Sequence, residues 1–328
     1  MATSKPRARK VAPVPTSAME AYKALQKSLQ IRAVSEDEDD TTTAEEIDFL
    51  HSNQAPLLSA SVKFAMTEIS LAERLGCVSK VAGKRYFAFE RRTASETFLS
   101  RPVNEDLFSD DLVPVLALFE TLENAQTHEE LNASLSAWDS NLLQKTLYSM
   151  AMSFCCAIDI QKTGDKKTPG TFFEYFVAYL ISRRLRVNPV RRVEISSRGI
   201  NISLPTDFIF EPGHRLRNLH VPVKTSTRER VIQVWAHQRV IDGTLGQGRY
   251  LGTPVILTET KLDKKKMEVV EICLPEQWQI YQGHISQLSR IYYLDLPQPY
   301  MDLNTKLPPI SVKPFAEFFF ESDALVGV

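Results

Sequence analysis

The 328 residues hold four cysteines, Cys77, Cys155, Cys156 and Cys273, with no CxxC pair among them and apolar neighbours around each. That excludes a disulfide-stapled scaffold and the usual zinc clips, and fits reduced core residues of a cytoplasmic protein. No apolar run approaches the roughly 18 residues of a membrane span, and no secretory leader opens the chain. A soluble, cytoplasmic protein with no membrane partner is expected. The six histidines form no HxxxH pair, and neither a GxSxG elbow nor a Walker A loop occurs. His128-Glu129-Glu130 is an HxE match without the PCxxC that a zinc deaminase would add, which leaves it as a helix surface. Zincin and serine hydrolase chemistry are therefore disfavoured. An excess of one charge is missing too, because the net charge is −1.

What is present is a local imbalance. Residues 183–230 carry eleven Lys or Arg against four Asp or Glu, and phosphate binding needs clustered charge, not a basic chain. Inside this stretch, Asp207 lies in the β-type run Ile200–Phe210, and Lys224 ends the next run, Leu219–Lys224. Two adjacent strands would bring the carboxylate and the ammonium together at one end of a sheet. Hydrolysis of a phosphodiester needs a divalent metal, an activated water and positive charge where the transition state turns negative. An Asp and a Lys so placed can serve those ends.

A helix is expected over 227–241, with Glu229, Gln233 and His237 on one polar arc beside Arg230 and with Val231, Val234, Trp235 and Ile241 largely opposite. Glu229 also completes the capping box Ser226-x-x-Glu229, which needs no chemistry to explain it. Another helix is expected from Phe172 to Leu185. Glu174 shares its stripe with Ala178, Ile181 and Leu185, and a carboxylate facing a core needs a partner or a metal. Thr171-x-x-Glu174 is again a capping-box match.

The elements around Asp207 and Lys224 run helix, three strands, helix, strand. In that order, with Pro205-Thr206-Asp207 as a "PD" half carrying one inserted residue and Val223-Lys224 as the "XK" half, residues 170–296 resemble the PD-(D/E)XK nuclease superfamily, and within it the type II restriction endonucleases. The resemblance implies an α/β (α+β) fold: a nuclease core whose mixed sheet is flanked by helices, here with a mainly helical N-terminal region. It implies Mg2+ held by Asp207, the Val223 carbonyl and Glu174, with Lys224 orienting the attacking water. Pro222 stands where the family usually has a second carboxylate, so Glu174 and Glu229 compete for that role. Arg228, Arg230, Gln233, His237, Gln238 and Arg239 become candidates for contact with DNA, since Arg pairs with guanine and Gln with adenine. Double-stranded DNA, a homodimer for cutting both strands and a cognate methyltransferase in the host are the implied partners. A structure-specific repair or recombination nuclease is the alternative, as is a DNA-binding protein on a decayed nuclease fold.

The chain divides on this reading into 1–55, a flexible basic then acidic segment with a helix beginning near 43; 56–160, a helical scaffold or specificity region; 161–300, the nuclease core; and 301–328, a tail. Apolar periodicity predicts a helix from Pro56 to Leu75 stopped by Gly76. Lys80–Arg92 interleaves basic and aromatic residues, as a DNA-contacting strand or a plain half-buried strand would. Further strands are expected at 253–260, 267–274 and 291–296, with a helix from Pro275 to about 288. The aromatics of 315–320 need a core or an interface to cover them.

Overall fold

Apart from the 260–271 hairpin, the β-branched and aromatic runs from 190 to 314 build one mixed sheet, and the apolar helices on either side of it bury both of its faces. The structure is a computed structural model that describes residues 15–29, 46–51, 54–162, 164–197, 199–228 and 231–328. Its first half contains α1 (Ala18–Ser28), α2 (Gln54–Ser70), β1 (Glu73–Ser79), β2 (Tyr86–Arg92), β3 (Thr97–Leu99), β4 (Val103–Asn104), α3 (Leu112–Asn124), α4 (His128–Ser136), α5 (Ser140–Gln161) and α6 (Lys167–Leu185). There follow β5 (Val190–Ser197), β6 (Ile200–Phe210), β7 (Asn218–Val221), β8 (Val223–Lys224), α7 (Ile232–Leu245), β9 (Tyr250–Gly252) and β10 (Val255–Ile256). The chain ends with β11 (Thr260–Asp263), β12 (Glu268–Glu271), α8 (Pro275–His284), β13 (Ile291–Tyr293), α9 (Gln298–Met301), β14 (Val312–Pro314) and α10 (Ala316–Val326).

Pro222 and Pro254 set the shape of the sheet. Each lacks an N–H and interrupts its strand, dividing β7 from β8 and β9 from β10. The parallel register is nonetheless the same on both sides, His220 opposite Gly252 and Val223 opposite Val255, and Thr253, Val255 and Leu257 donate to the carbonyls of His220, Pro222 and Lys224. The two halves therefore read as one ladder, and the strand order is β5, β6, β7 with β8, β9 with β10, β13, β14. Beyond the prolines β6 and β8 part. The last pairing between β6 and β7 is Phe208 with Val221, after which β6 pairs with β5 alone and β8 with β10. The sheet forks there.

Side chains alternate across the sheet as its pleat requires. Phe208, Phe210, Leu219, Val221, Val223, Val255 and Leu257 join α5, α6 and α10 in the large core. Ile256, Ile291 and Tyr293 meet Trp235 and Trp278 from α7 and α8 on the other face, and Ile209 meets Ile241. Helix α5 is buried nearly throughout, with Phe154 stacked on Phe172 of α6 at 3.7 Å. The C-terminal aromatics are docked on the core: Phe315, Phe318 and Phe319 are buried, and buried Arg184 donates to the Phe319 carbonyl and pairs with Asp323.

Several expectations are corrected. Helix α2 stops at Ser70, and Gly76 lies within β1, paired to Phe87. Residues 18–28, within the segment read as flexible, form α1, capped by Ser17 and packed by Tyr22 and Leu25. Glu46 to Leu50 is not helical: Glu46 bridges Val190, and Asn188 takes the Phe49 and Leu50 N–H groups. The basic arm at 1–14 and the acidic run at 36–40 lie outside the described residues. Lys80–Arg92 yields β2, buried on both faces at 86–90, because the region read as helical also builds a sheet, in the order β11, β12, β1, β2, β3 with β4 beside β2. Two of its strands come from the 260–271 hairpin.

Candidate active site

The fork explains why a carboxylate is needed at 207. Beyond it the Val223 N–H has no strand beside it, and an unpaired buried N–H costs about 1–3 kcal/mol. Asp207, one residue past the last β6 to β7 pair, supplies the acceptor: its Oδ2 takes the Val223 N–H at 2.8 Å and the Lys224 ammonium at 2.7 Å. The other oxygen, Oδ1, makes no hydrogen bond among the described residues. Because a residue in a strand points its N–H and C=O to the same side, the Val223 carbonyl faces the Asp207 side as well.

Period two puts Asp207 on the face of Ile209, and Ile209 pairs with His220. His220, Pro222 and Lys224 therefore share the face covered by α7. There Asp207, Lys224, His220, Pro222, Gln233 and His237 line an open cavity of about 340 Å3. Glu174 belongs to α6, on the opposite face of the sheet, and meets the cavity through Arg191, which lines it. It is well inside its helix. Thr171 is no cap, since its hydroxyl donates back to the Lys167 carbonyl, so the capping reading of Glu174 falls away. Glu174 pairs with Arg191 at 3.2 Å, and Arg191 in turn lies over the Phe208 ring. Burial first, and the Asp207 carboxylate second, push the Glu174 carboxyl up to about 7, against the pull of Arg191 and Lys224.

Asp207, Lys224, Glu174 and Val223 are thus brought together, and Gln233 and His237 stand at the same cavity. Glu229 and Arg230 lie outside the described residues. Arg239 is exposed, and Arg228 is half-buried and donates to the Thr260 carbonyl. Gln238 corrects the DNA-contact reading. It is buried, its amide nitrogen donating to Asp242 and to the Tyr250 carbonyl and its oxygen facing His220 Nδ1, so it has nothing left for a base edge. Sequence reasoning left Arg191 out of the site. It also left out Glu259, a buried carboxylate that takes the Thr227 N–H and hydroxyl and the Tyr293 hydroxyl and so anchors the turn after Lys224. Among the described residues no three His, Cys, Asp or Glu side chains form a metal cage.

The fold that carries this site has a counterpart among solved structures. The crystal structure of the type IIP restriction endonuclease Kpn2I superposes with a TM-score of 0.68 and 28% identity, over 84% of this chain and 92% of that one. The chain has a type II restriction endonuclease fold. The shared fold extends beyond the core, since 84% of the chain is more than residues 161–328 supply. A complex of the restriction endonuclease PspGI with substrate DNA aligns at a TM-score of 0.37 and 13% identity, over 67% of this chain and 91% of that one, too loosely to carry an argument. No protein-family model matches the chain, and no curated protein sequence matches it.

Proposed function

We propose that this protein is a type II restriction endonuclease that hydrolyses phosphodiester bonds of double-stranded DNA at a specific short sequence, with Mg2+. The observation that carries the reading is the Asp207–Lys224 pair, held at the fork of a restriction endonuclease fold and opening on a cavity with Glu174 behind it.

The residues fit a divalent cation. Two carboxylates stand close enough that one raises the other's pKa, and Mg2+ takes one or two carboxylates and keeps several waters. Asp207 Oδ1, Glu174 and the Val223 carbonyl would hold it. When bound, the metal would polarise a phosphate oxygen and lower the pKa of a water. Lys224, fixed by Asp207, places its ammonium where the pentavalent phosphorus gains negative charge and orients the incoming water. Water adds to phosphorus, one P–O bond breaks, and the departing oxygen leaves with a proton as the hydroxyl. Arg191 restrains Glu174 so that its carboxyl stays beside Asp207.

The DNA backbone has a track in this reading. A second groove, of about 600 Å3, begins at Thr225 and Ser226, directly after Lys224, and is lined by Arg101, Lys166, Arg228, Lys261 and Lys264 against Asp159 and Asp165. Gln233, His237 and Arg239 would meet the bases or phosphates from α7. Cutting both strands would use a two-fold dimer on a palindromic site, and a methyltransferase of the same specificity would protect the host.

The test is digestion of phage DNA by wild type, Asp207→Ala and Lys224→Ala, with Mg2+ and with EDTA. Discrete bands that need Mg2+ and vanish in both variants are expected. A smear would indicate a nuclease without sequence specificity, and DNA merely retarded, equally by all three proteins, would sink the reading.

A further inference from the structure

Beyond the fork, β5 and β6 run on as a two-stranded ribbon. From Arg192 opposite Pro205 to Ser197 opposite Ile200, each strand has the other as its only strand partner among the described residues, and Gly199 turns the tip at φ +77°. The register shifts between Val190 and Arg192, and past that shift the two faces differ in kind. Val193, Ile195 and Leu204 join Ile241 and Leu245 of α7 in a small core. Arg192, Glu194, Ser196, Asn201 and Ser203 take the opposite face by period two. The helical cover ends short of the tip, where Ile200 is 60% and Ile202 55% exposed.

The polar face begins at the catalytic cavity, which Arg191, Pro205 and Thr206 help to line. From Asp207 out to Asn201 the strand reaches about 20 Å, the length of about six base-pair steps. Two of its side chains are held from within the ribbon: Ser196 Oγ donates to Asn201 Oδ1 at 2.6 Å, and Ser203 Oγ donates to Glu194 Oε1 at 2.7 Å. The Asn201 amide nitrogen, Glu194 Oε2 and the Arg192 guanidinium are left without a partner among the described residues. Between 190 and 206 the sequence sets Arg191, Arg192 and Arg198 against the single acid Glu194, a balance that suits a phosphate backbone. Width agrees with charge, since the major groove of B-DNA admits a two-stranded ribbon.

We propose that this ribbon lies in the major groove beside the scissile phosphate and that Arg192, Glu194 and Asn201 read base edges there. Arg192 donates to guanine O6 and N7, Glu194 accepts from a cytosine amino group, and Asn201 meets an adenine. At least one G·C pair therefore belongs to the recognition sequence. The inference deepens the nuclease reading and rests on it.

Two measurements on the full chain decide it. In the first, wild type, Arg192→Lys, Glu194→Gln and Asn201→Ala each select cleaved sites from a randomised duplex library, with a melting curve for every protein. Each variant is expected to lose its preference at one base pair and to cleave the wild-type site about 10- to 100-fold more slowly, with unfolding unchanged. Lysine keeps the charge of Arg192 and loses its fork, so a phosphate contact would survive that change and a base contact would not. Unchanged preference in the variants, with or without a slower rate, overturns the proposal. So does a variant that becomes monomeric in light scattering with its preference intact, which would make the ribbon a subunit arm. The second measurement needs no cleavage: a benzophenone side chain at position 201 is expected to cross-link to duplex DNA, with EDTA or Ca2+ in place of Mg2+, and its failure to do so overturns the groove placement. Cross-linking by a protein whose wild type cuts no DNA would keep the ribbon as a DNA contact and remove the nuclease reading alone.

Discussion

Two lysine–aspartate pairs in this protein are nearly equal in length and opposite in character. Lys224 meets Asp207 at 2.7 Å and Lys84 meets Asp295 at 2.8 Å. All three ammonium hydrogens of Lys84 are used, on Glu271, Asp295 and the Leu296 carbonyl, and Asp295 also takes Asn104 and the Tyr86 hydroxyl. Burial disfavours the Lys84 charge, and Asp295 and Glu271 more than offset this. That pair is closed: it braces β2 and β4 against the ends of β12 and β13. The Asp207 pair is open, with one carboxylate oxygen unused, a second carboxylate behind it and a cavity in front. A saturated ion pair holds a structure together, while an unsaturated one beside space can accept a substrate.

The contrast breaks first on activity. Asp207→Asn and Lys224→Met should each lower DNA cleavage by about 10³-fold or more, the scale of losing a charge aimed at the transition state, with thermal unfolding little changed; the readouts are single-turnover cleavage and a melting curve. Lys84→Met should do the reverse. It leaves buried carboxylates unpaired and should cost about 3–5 kcal/mol, read as the urea midpoint, with cleavage per folded molecule retained.

A subtler difference lies in pH. The Glu174 carboxyl is raised to about 7, so between its ordinary range near 4.5 and about 7 the folded chain keeps a proton that the unfolded chain has lost. Stability should fall as pH rises through that window and level off above it. Urea midpoints in EDTA should show this slope in wild type, and Glu174→Gln should flatten it. Gly252→Ala should cost about 1–3 kcal/mol by overpacking, since a Cβ there would come within 2.6 Å of Leu288 and 2.7 Å of the Gln238 oxygen, again read as the urea midpoint. The smallest effect belongs to the basic groove. Lys261→Glu with Lys264→Glu should weaken DNA binding and flatten its dependence on salt, by about one unit of slope for each phosphate no longer neutralised, in a filter or anisotropy titration.

The core was legible where local pattern decides. The order of helix and strands around 167–256 follows from alternation and turn residues, and the Asp207–Lys224 pair follows from where two runs end. Gln238 had a signal that was passed over: it lies three and four residues from Trp235 and Val234 and three before Ile241, on the buried stripe of α7. His220 had one too, since 220, 222 and 224 share a face by period two. The fork itself was hidden, because it depends on which strands pair after Pro222. Lys84 was hidden for a like reason. Among Lys80, Arg85, Arg91 and Arg92 it looks like one more surface cation, and only Glu271 and Asp295, some 200 residues on, make it a brace. Strand β1, with a glycine inside, pairs with nearby β2 on one side, but its partner on the other, β12, is equally far along the chain.

That pairing has a bearing on how such a protein changes over generations. β12 lies parallel beside β1, Val78 opposite Glu268, so one sheet is assembled from segments 190 residues apart in the chain. A recombination event falling between them would join half a sheet from one parent to half from the other, with Lys84 facing carboxylates it had not evolved beside.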